Sequence, residues 1–306
     1  MIALAQADRS PTQARMIDLL SQLSQGQGFS PSRIPGVKFM RSTRYVPLSP
    51  VSYEPSIVII AQGRKRGVLG GRSYPYDANN YLVLTLPVPF ECETFGSPDE
   101  PLLGMSVGVS PATIAELLAQ MEVPARNGDT RPQAIDSAEV EEPLCASAVR
   151  LLEALRSPED ARILGPQLVR ELTYRVMCGP LGGNLRALAA PQNHFGQIGR
   201  VLHRIHTQFA NSFDIDTLAR EAGMSASTFH AHFKAVTASP PLQYIKSVRL
   251  HKARLLMVHD GIGAAEAALQ VGYESASQFS REFKRLFGAT PAAAAAELRA
   301  TFTRLS

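Results

Sequence analysis

Histidine is missing from residues 1 to 193; all seven lie from His194 onward. Metal sites built from two or three histidines and a carboxylate are thereby excluded from the larger part of the chain. Cysteine is scarce: Cys92, Cys145 and Cys178 are odd in number and widely spaced, which argues against both a disulfide framework and a zinc ribbon. No apolar run reaches the ~18 residues of a membrane helix. The amino terminus, MIALAQADRSPTQ, lacks a basic start followed by an apolar stretch. A soluble, cytoplasmic protein is expected. Long runs of one charge are also absent, so a chain of 306 residues with 45% apolar content is expected to form two compact domains.

The last third contains a repeat. Leu218 to Pro241 (LAREAGMSASTFHAHFKAVTASPP) and Ala267 to Pro291 (AALQVGYESASQFSREFKRLFGATP) share an order of small residue, glycine, serine cluster, aromatics, lysine and proline. Phe229, Phe233, Lys234 and Pro241 recur as Phe279, Phe283, Lys284 and Pro291, each offset by fifty. Each copy reads as helix, turn, helix. Gly223 and Gly272 stand where the chain reverses and positive φ is needed. Ser225 and Ser275 then stand where an N-cap accepts a backbone N–H. The phenylalanines, four apart, fall on one buried face. The opposite face is polar and partly basic: Ser227, His230, Ala231 and Lys234 in the first copy; Gln278, Ser280, Arg281 and Lys284 in the second. Such a face fits a major groove.

Charge follows the same division. From His194 onward there are 13 Lys and Arg against 8 Asp and Glu, whereas residues 1 to 193 hold 18 against 19. A positive balance beside the repeats suits phosphate contacts, which position a protein while a few base contacts specify.

With the joining segment SVRLHKARLLM (Ser247 to Met257), the two copies resemble the DNA-binding domain of AraC/XylS-type transcription regulators; GYESASQFSREFKRLFGATP is the most specific stretch. The resemblance implies two helix-turn-helix subdomains joined by one long helix, with reading helices in adjacent major grooves. It carries base contacts to Ser227, His230 and Ala231 in the first reading helix and to Gln278, Ser280 and Arg281 in the second. Ser275 and Lys284 fall near phosphate, and Lys234 lies on the equivalent face of the first helix. Ala231 departs from the pattern, since many members carry arginine there and alanine offers only a methyl.

The first domain opens with a helical pattern, Met16, Leu19, Leu20 and Leu23, ended by Gly26 and Gly28. After Pro35, short apolar runs at Ile57 to Ala61, Tyr81 to Leu86 and Leu102 to Val109 alternate with turn clusters, which predicts a β barrel or sandwich. Helices are expected again over Pro111 to Met121, Glu139 to Arg156 and Leu164 to Cys178. The stretches EPSIVIIAQGRKRGVLGGRSYPYD, NYLVLTLPVPFECE and SPEDARILGPQLVRELTYRVMCGP resemble the amino-terminal domain of the YqhC-like subgroup of AraC-type regulators. That resemblance implies a small cupin-like barrel that binds an effector or dimerises.

The expected fold is therefore α+β: a cupin-like β barrel with flanking helices over 1–190, then an all-α tandem helix-turn-helix domain over 191–306, joined near Ala189 to His194. Candidate effector contacts are the basic cluster Arg64, Lys65 and Arg66, and Cys92, whose neighbours Glu91 and Glu93 disfavour a thiolate. The stripe Leu144, Ala148, Leu151, Leu152 and Leu155 reads either as core or as a homodimer seam. The expected function is a one-component, sequence-specific transcription regulator, activator or repressor, and not an enzyme. It would bind a double-stranded operator and a small-molecule effector without a cofactor, and would touch RNA polymerase if it activates. The rivals are a metal-dependent cupin enzyme with a DNA-binding tail and an architectural DNA binder without an effector.

Overall fold

The computed structural model describes residues 10–122, 132–190 and 193–296. Part of the expected linker, residues 191–192, lies outside them. The chain starts with α1 (Pro11–Leu23), capped by the Ser10 side chain with proline in the first turn, and it buries Met16, Leu19 and Leu20 as the periodicity predicts.

Among the described residues, ten strands form two antiparallel sheets. They are β1 (Gly28–Pro31), β2 (Val37–Ser42), β3 (Val46–Ser52), β4 (Ser56–Gln62), β5 (Arg64–Leu69), β6 (Arg72–Asp77), β7 (Asn80–Leu84), β8 (Pro89–Phe95), β9 (Leu102–Gly108) and β10 (Ile135–Glu139). One sheet has the order β1-β2-β9-β4-β7-β10, the other β3-β8-β5-β6. Of the expected barrel or sandwich, the structure has two stacked sheets. Only β4, β7 and β9 were legible as apolar runs, because central strands buried on both faces carry few polar residues. The polar strands β3 and β6 hold Pro47, Pro50 and Pro75, and both lie at sheet edges, where a missing N–H breaks no ladder.

Strand alternation divides the packing into two layers. From β4, Ile57, Ile59 and Ala61 face a core shared with α1 and with α2 (Pro111–Leu118), α3 (Glu142–Ala154), α4 (Pro158–Ile163), α5 (Gly165–Cys178) and α6 (Gly182–Leu188). Val58 and Ile60 face the second sheet, against Tyr74, Tyr76, Phe90 and Cys92. Leu144, Ala148, Leu151, Leu152 and Leu155 are buried in the first of these cores, so the stripe is intramolecular packing and not a seam. The helix expected over Glu139 to Arg156 is α3, shorter at its start, where Glu139 instead ends β10. Pro143 fits a helix only in its first turn, which sets the start of α3 at Glu142.

The carboxyl-terminal part is helical: α7 (His194–Thr207), α8 (Ile215–Glu221), α9 (Ala226–Thr237), α10 (Pro241–His259), α11 (Ala264–Gln270) and α12 (Ala276–Phe287). Each helix pair has its own core. The first, around Phe229, Phe233 and Tyr244, also contains Leu86, Val88 and Ala134 of the β domain. The second, around Phe279, Phe283 and Met257, contains no β-domain residue. Leu255 of α10 lies outside both cores and is 48% exposed.

Candidate nucleic-acid interface and interdomain cavity

The two heads, α8–turn–α9 and α11–turn–α12, are built alike. Gly223 and Gly272 take φ of +67° and +82° at the turns. Ser225 accepts the Thr228 N–H at 3.3 Å and Ser275 accepts the Gln278 N–H at 3.2 Å, as N-caps do. Phe229 and Phe233 are fully buried with ring centroids 5.3 Å apart; Phe279 and Phe283 match them at 5.6 Å. Burying one face of each second helix leaves the other to solvent. On α9, Ser227, His230, Ala231 and Lys234 are exposed. On α12, Ser275, Gln278, Arg281 and Lys284 are exposed and Ser280 is half-buried.

These side chains offer the donors that base edges and phosphates accept. Ser275 spends one lone pair on its cap and stands exposed at the start of α12. Gln278 donates to Glu282 at 3.2 Å, and Glu282 also receives Tyr273 and Lys246, each at 2.8 Å. Glu282 is thus neutralised within the protein and its carboxyl is held below the ordinary range, by Lys246 ahead of Tyr273, against the opposing effect of burial. A negative charge beside the reading face is in this way kept from repelling DNA.

Comparison with known proteins agrees with this geometry. Residues 33–184 match the family model for the AraC-type transcriptional regulator N-terminus, and residues 218–297 match a helix-turn-helix domain. The chain carries the two domains of an AraC-type regulator. Among curated relatives, the regulator ExsA of Pseudomonas aeruginosa is 26% identical over 149 residues, 49% of this chain and 53% of ExsA. The activator RhaS of Escherichia coli is 28% identical over 100 residues, 33% of this chain and 36% of RhaS. The alignments thus span about half of one relative and about a third of the other. Among solved structures, ToxT of Vibrio cholerae covers 88% of this chain and 98% of its own at a TM-score of 0.58 and 12% identity, a likeness of fold. A second ToxT structure, with an unsaturated fatty acid bound, gives 0.55 and 12%, covering 89% of this chain and 96% of its own.

In the AraC-type β domain, the residues expected at an effector site are split: Lys65 and Cys92 meet in the interior, while Arg64 and Arg66 lie on the other face of β5. Arg64, Lys65 and Arg66 are consecutive on β5, so they alternate between its faces. Arg64 lies over the Phe95 ring at 4.4 Å, and Arg66 pairs with Glu93 at 2.6 Å. The Tyr45 hydroxyl, and then Arg66, hold the Glu93 carboxyl below its ordinary range. Lys65 points inward, only 6% exposed, and donates to the Tyr53 hydroxyl at 3.3 Å. Cys92 faces the same interior, 3.2 Å from the Tyr76 hydroxyl. Its sequence neighbours Glu91 and Glu93 alternate to the other face of β8. Aromatic side chains fill this interior.

Open space lies instead between the β domain and α10, in a cavity of about 480 Å³. Phe29 and Tyr53 form an aromatic wall, and Lys38, His251 and Lys252 supply polar groups. Lys38 pairs with Glu54 at 3.5 Å. His251 Nε2 is buried without a hydrogen-bond partner, a condition that costs about 1–3 kcal/mol. Burial, and then the Arg254 charge, push the His251 imidazole down to about 3. His206 at the same cavity is pushed down to about 4, mainly by burial and then by Lys252. The Tyr244 hydroxyl donates to Pro87 O at 2.6 Å, so at 2.8 Å from His206 Nε2 it acts as acceptor and the imidazole as donor. Arg254 donates to Pro50 O at 3.1 Å. No local signal in the sequence pairs residue 38 with 252, so this cavity was missed there. Among the described residues no group of three His, Cys, Asp or Glu is placed to hold a metal, and none of the helices is long and apolar enough to cross a membrane.

Proposed function

We propose that this chain is a one-component, sequence-specific transcription regulator that reads double-stranded DNA with α9 and α12 and responds to a small molecule held between the β domain and α10. The observation that carries the first half is the pair of capped, exposed polar helix faces on two like heads. Ser227, His230, Ala231 and Lys234 would serve one half-site, and Ser275, Gln278, Ser280, Arg281 and Lys284 the other. The protein would work in the cytoplasm, contact RNA polymerase if it activates, and gain operator length if it pairs with a second copy. Its β domain we read as cupin-like and of the YqhC-like subgroup, on the motifs and the double sheet. The division at residues 190/191 follows the composition change there.

For the effector, the cavity has an apolar wall, Lys38 and Lys252 for an anionic group, and an unsatisfied imidazole nitrogen. An acid with an apolar body suits it, and the fatty acid carried by a ToxT structure of the same fold supports that choice. Its contacts with both domains would bias how the heads are presented.

Selection from random-sequence duplex DNA by the full chain tests the first half: a bipartite motif is expected, and binding indifferent to sequence would point to an architectural protein. Adding oleate in a thermal-shift experiment tests the second. The melting temperature should rise, and less so in Lys252→Ala; no shift with oleate removes this effector class.

A further inference from the structure

Arg249 lies near the middle of α10 and is half-buried where the two heads meet. All three of its guanidinium nitrogens donate to backbone carbonyls: Nε to Phe209 at 2.9 Å, Nη2 to Asn211 at 2.8 Å, and Nη1 to Gly272 at 3.0 Å. Phe209 and Asn211 follow the end of α7 in the first head. Gly272 is the turn of the second. These carbonyls belong to chain leaving helix ends, where acceptors lack an intrahelical partner, and a planar five-donor cation satisfies several at once in one geometry.

The backbones beneath the arginine are in contact. A Cβ at Gly272 would stand 2.3 Å from the Ala210 oxygen, so the turn of the second head is pressed against segment 209–211 of the first. The Phe209 ring packs on both cores. One side chain therefore holds, in a fixed relation, the loop that ends the first head's leading helix and the turn that launches the second head's reading helix.

We propose that Arg249 is a positioning residue for DNA reading: its three-carbonyl clamp fixes the separation and rotation of α9 and α12, and so sets the spacing of the two half-sites. The inference rests on the DNA-reading function proposed above. Neighbouring major-groove faces are about one helical turn, ~34 Å, apart, and one base pair shifts that distance by about 3.4 Å while rotating the second face. A rigid joint accepts one spacing; a loosened one accepts its neighbours.

The test uses the full chain and random-sequence duplex DNA, followed by binding to the selected site with one base pair added or removed between the half-motifs. The wild-type protein should yield two half-motifs at a single separation, with a penalty of about tenfold or more for the altered spacers. Arg249→Met should select the same bases in each half-motif over several separations, with the spacer penalty reduced to about threefold or less. Should Arg249→Met prove unfolded by circular dichroism, Arg249→Lys decides, because an ammonium keeps the charge but cannot span three carbonyls; the same broadening is expected. A wild-type protein that selects no motif defeats the proposed function itself. A wild-type motif with a sharp separation that the folded variant keeps unchanged overturns only the role of Arg249.

Discussion

Ala231 on α9 and Arg281 on α12 are equivalent positions, fifty residues apart, and the same offset pairs Thr228 with Gln278, His230 with Ser280 and Ala235 with Arg285. The second head thus presents a carboxamide, a hydroxyl and two guanidiniums where the first presents a hydroxyl, an imidazole and two methyls. The difference in anchorage runs the other way. The first head shares its core with Leu86, Val88 and Ala134 of the β domain, while the second is closed over its own residues. The head poorer in donors is the one whose core is shared with the β domain, while the second meets that domain outside its core, with α12 beside β3 and Arg254 on Pro50 O. We propose that the repeat divides two tasks it would otherwise duplicate: the second head would supply more of the base readout, and the first would take its position from the domain proposed to sense.

Breaking the anchorage should give the largest effect. Leu86 is 3% exposed and packs so closely on α7 that a Cβ at Gly199 would lie 3.0 Å from its Cδ2. Leu86→Ala should cost about 2–5 kcal/mol, as core truncations do. Hydrogen exchange should locate the loss, with α9 amides losing protection and α12 amides keeping theirs. Equal loss in both heads would show that they unfold as one unit and that the asymmetry of their cores has no energetic meaning. The same asymmetry bears on a fragment from about residue 191 to 306. It should keep a folded second head, while its first head lacks the core residues Leu86, Val88, Ala134 and Ala187 and melts at lower temperature.

Acid tests the two heads through one buried histidine each, His206 in α7 and His251 in α10 against Phe287. Both are held neutral, at about 4 and about 3, below the unfolded value of about 6.5. The unfolded chain binds protons first as pH falls, so the stability from these groups is complete above about pH 7.5 and is lost from about 6.5 downward. By pH 5.5 each should have lost about 1.4 kcal/mol, nearly 3 kcal/mol together. Denaturant melts between pH 7.5 and 5.5 measure this directly. His251→Leu should both stabilise the protein, since an unpartnered nitrogen is removed, and halve the pH dependence. The groups that act on it, Arg254 and then His206, are cationic or neutral, so neither reverses the sign.

Reading strength comes next. Arg281→Ala should cost about 1–3 kcal/mol on the selected site and relax preference at one base position. Ala231→Arg should sharpen preference at one position of the other half-site. Lys284→Ala should weaken all duplex sequences alike and reduce the salt slope by about one. If scrambling the half-site under α9 proves the more damaging, then His230 and shape readout carry more than donor counting allows, and the contrast between the heads is reversed.

How much of this was legible in sequence follows from the range of the interactions. Gly223, Ser225, Phe229 and Phe233, and their counterparts at Gly272, Ser275, Phe279 and Phe283, act within one turn of helix, so their spacing reports their roles. The faces of α9 and α12 were therefore readable from the chain alone. Arg64, Lys65 and Arg66 were misread as one cluster because adjacency in a strand means opposite faces, a fact visible only once β5 is known to be a strand. Its composition, RKRGVL, hides that at an inner position of the smaller sheet. The cavity and the Arg249 clamp join residues tens to hundreds of positions apart, and no local pattern encodes such pairings.

The smallest expected effect concerns the ends of the reading helices. Gly288 closes α12 at φ +75°, where glycine is at ease, whereas its counterpart Ala238 closes α9 at φ +57°, the one positive φ outside glycine among the described residues. An alanine in the left-handed region costs about 1 kcal/mol or slightly more. Its retention in the first head has a structural correlate: a Cβ placed on Gly70, in the β5–β6 turn, would lie only 2.8 Å from the Ala238 methyl, so that methyl rests against the glycine. Ala238→Gly removes the backbone strain but adds freedom to the unfolded chain and deletes the contact. The strain term is the larger, so the variant should be more stable by up to about 1 kcal/mol, and Gly288→Ala less stable by a similar amount. Chemical denaturation of the two single variants measures both. A loss of stability in Ala238→Gly would mean that the methyl-to-Gly70 contact outweighs the strain, making the β5–β6 turn a second anchor of the first head beside Leu86.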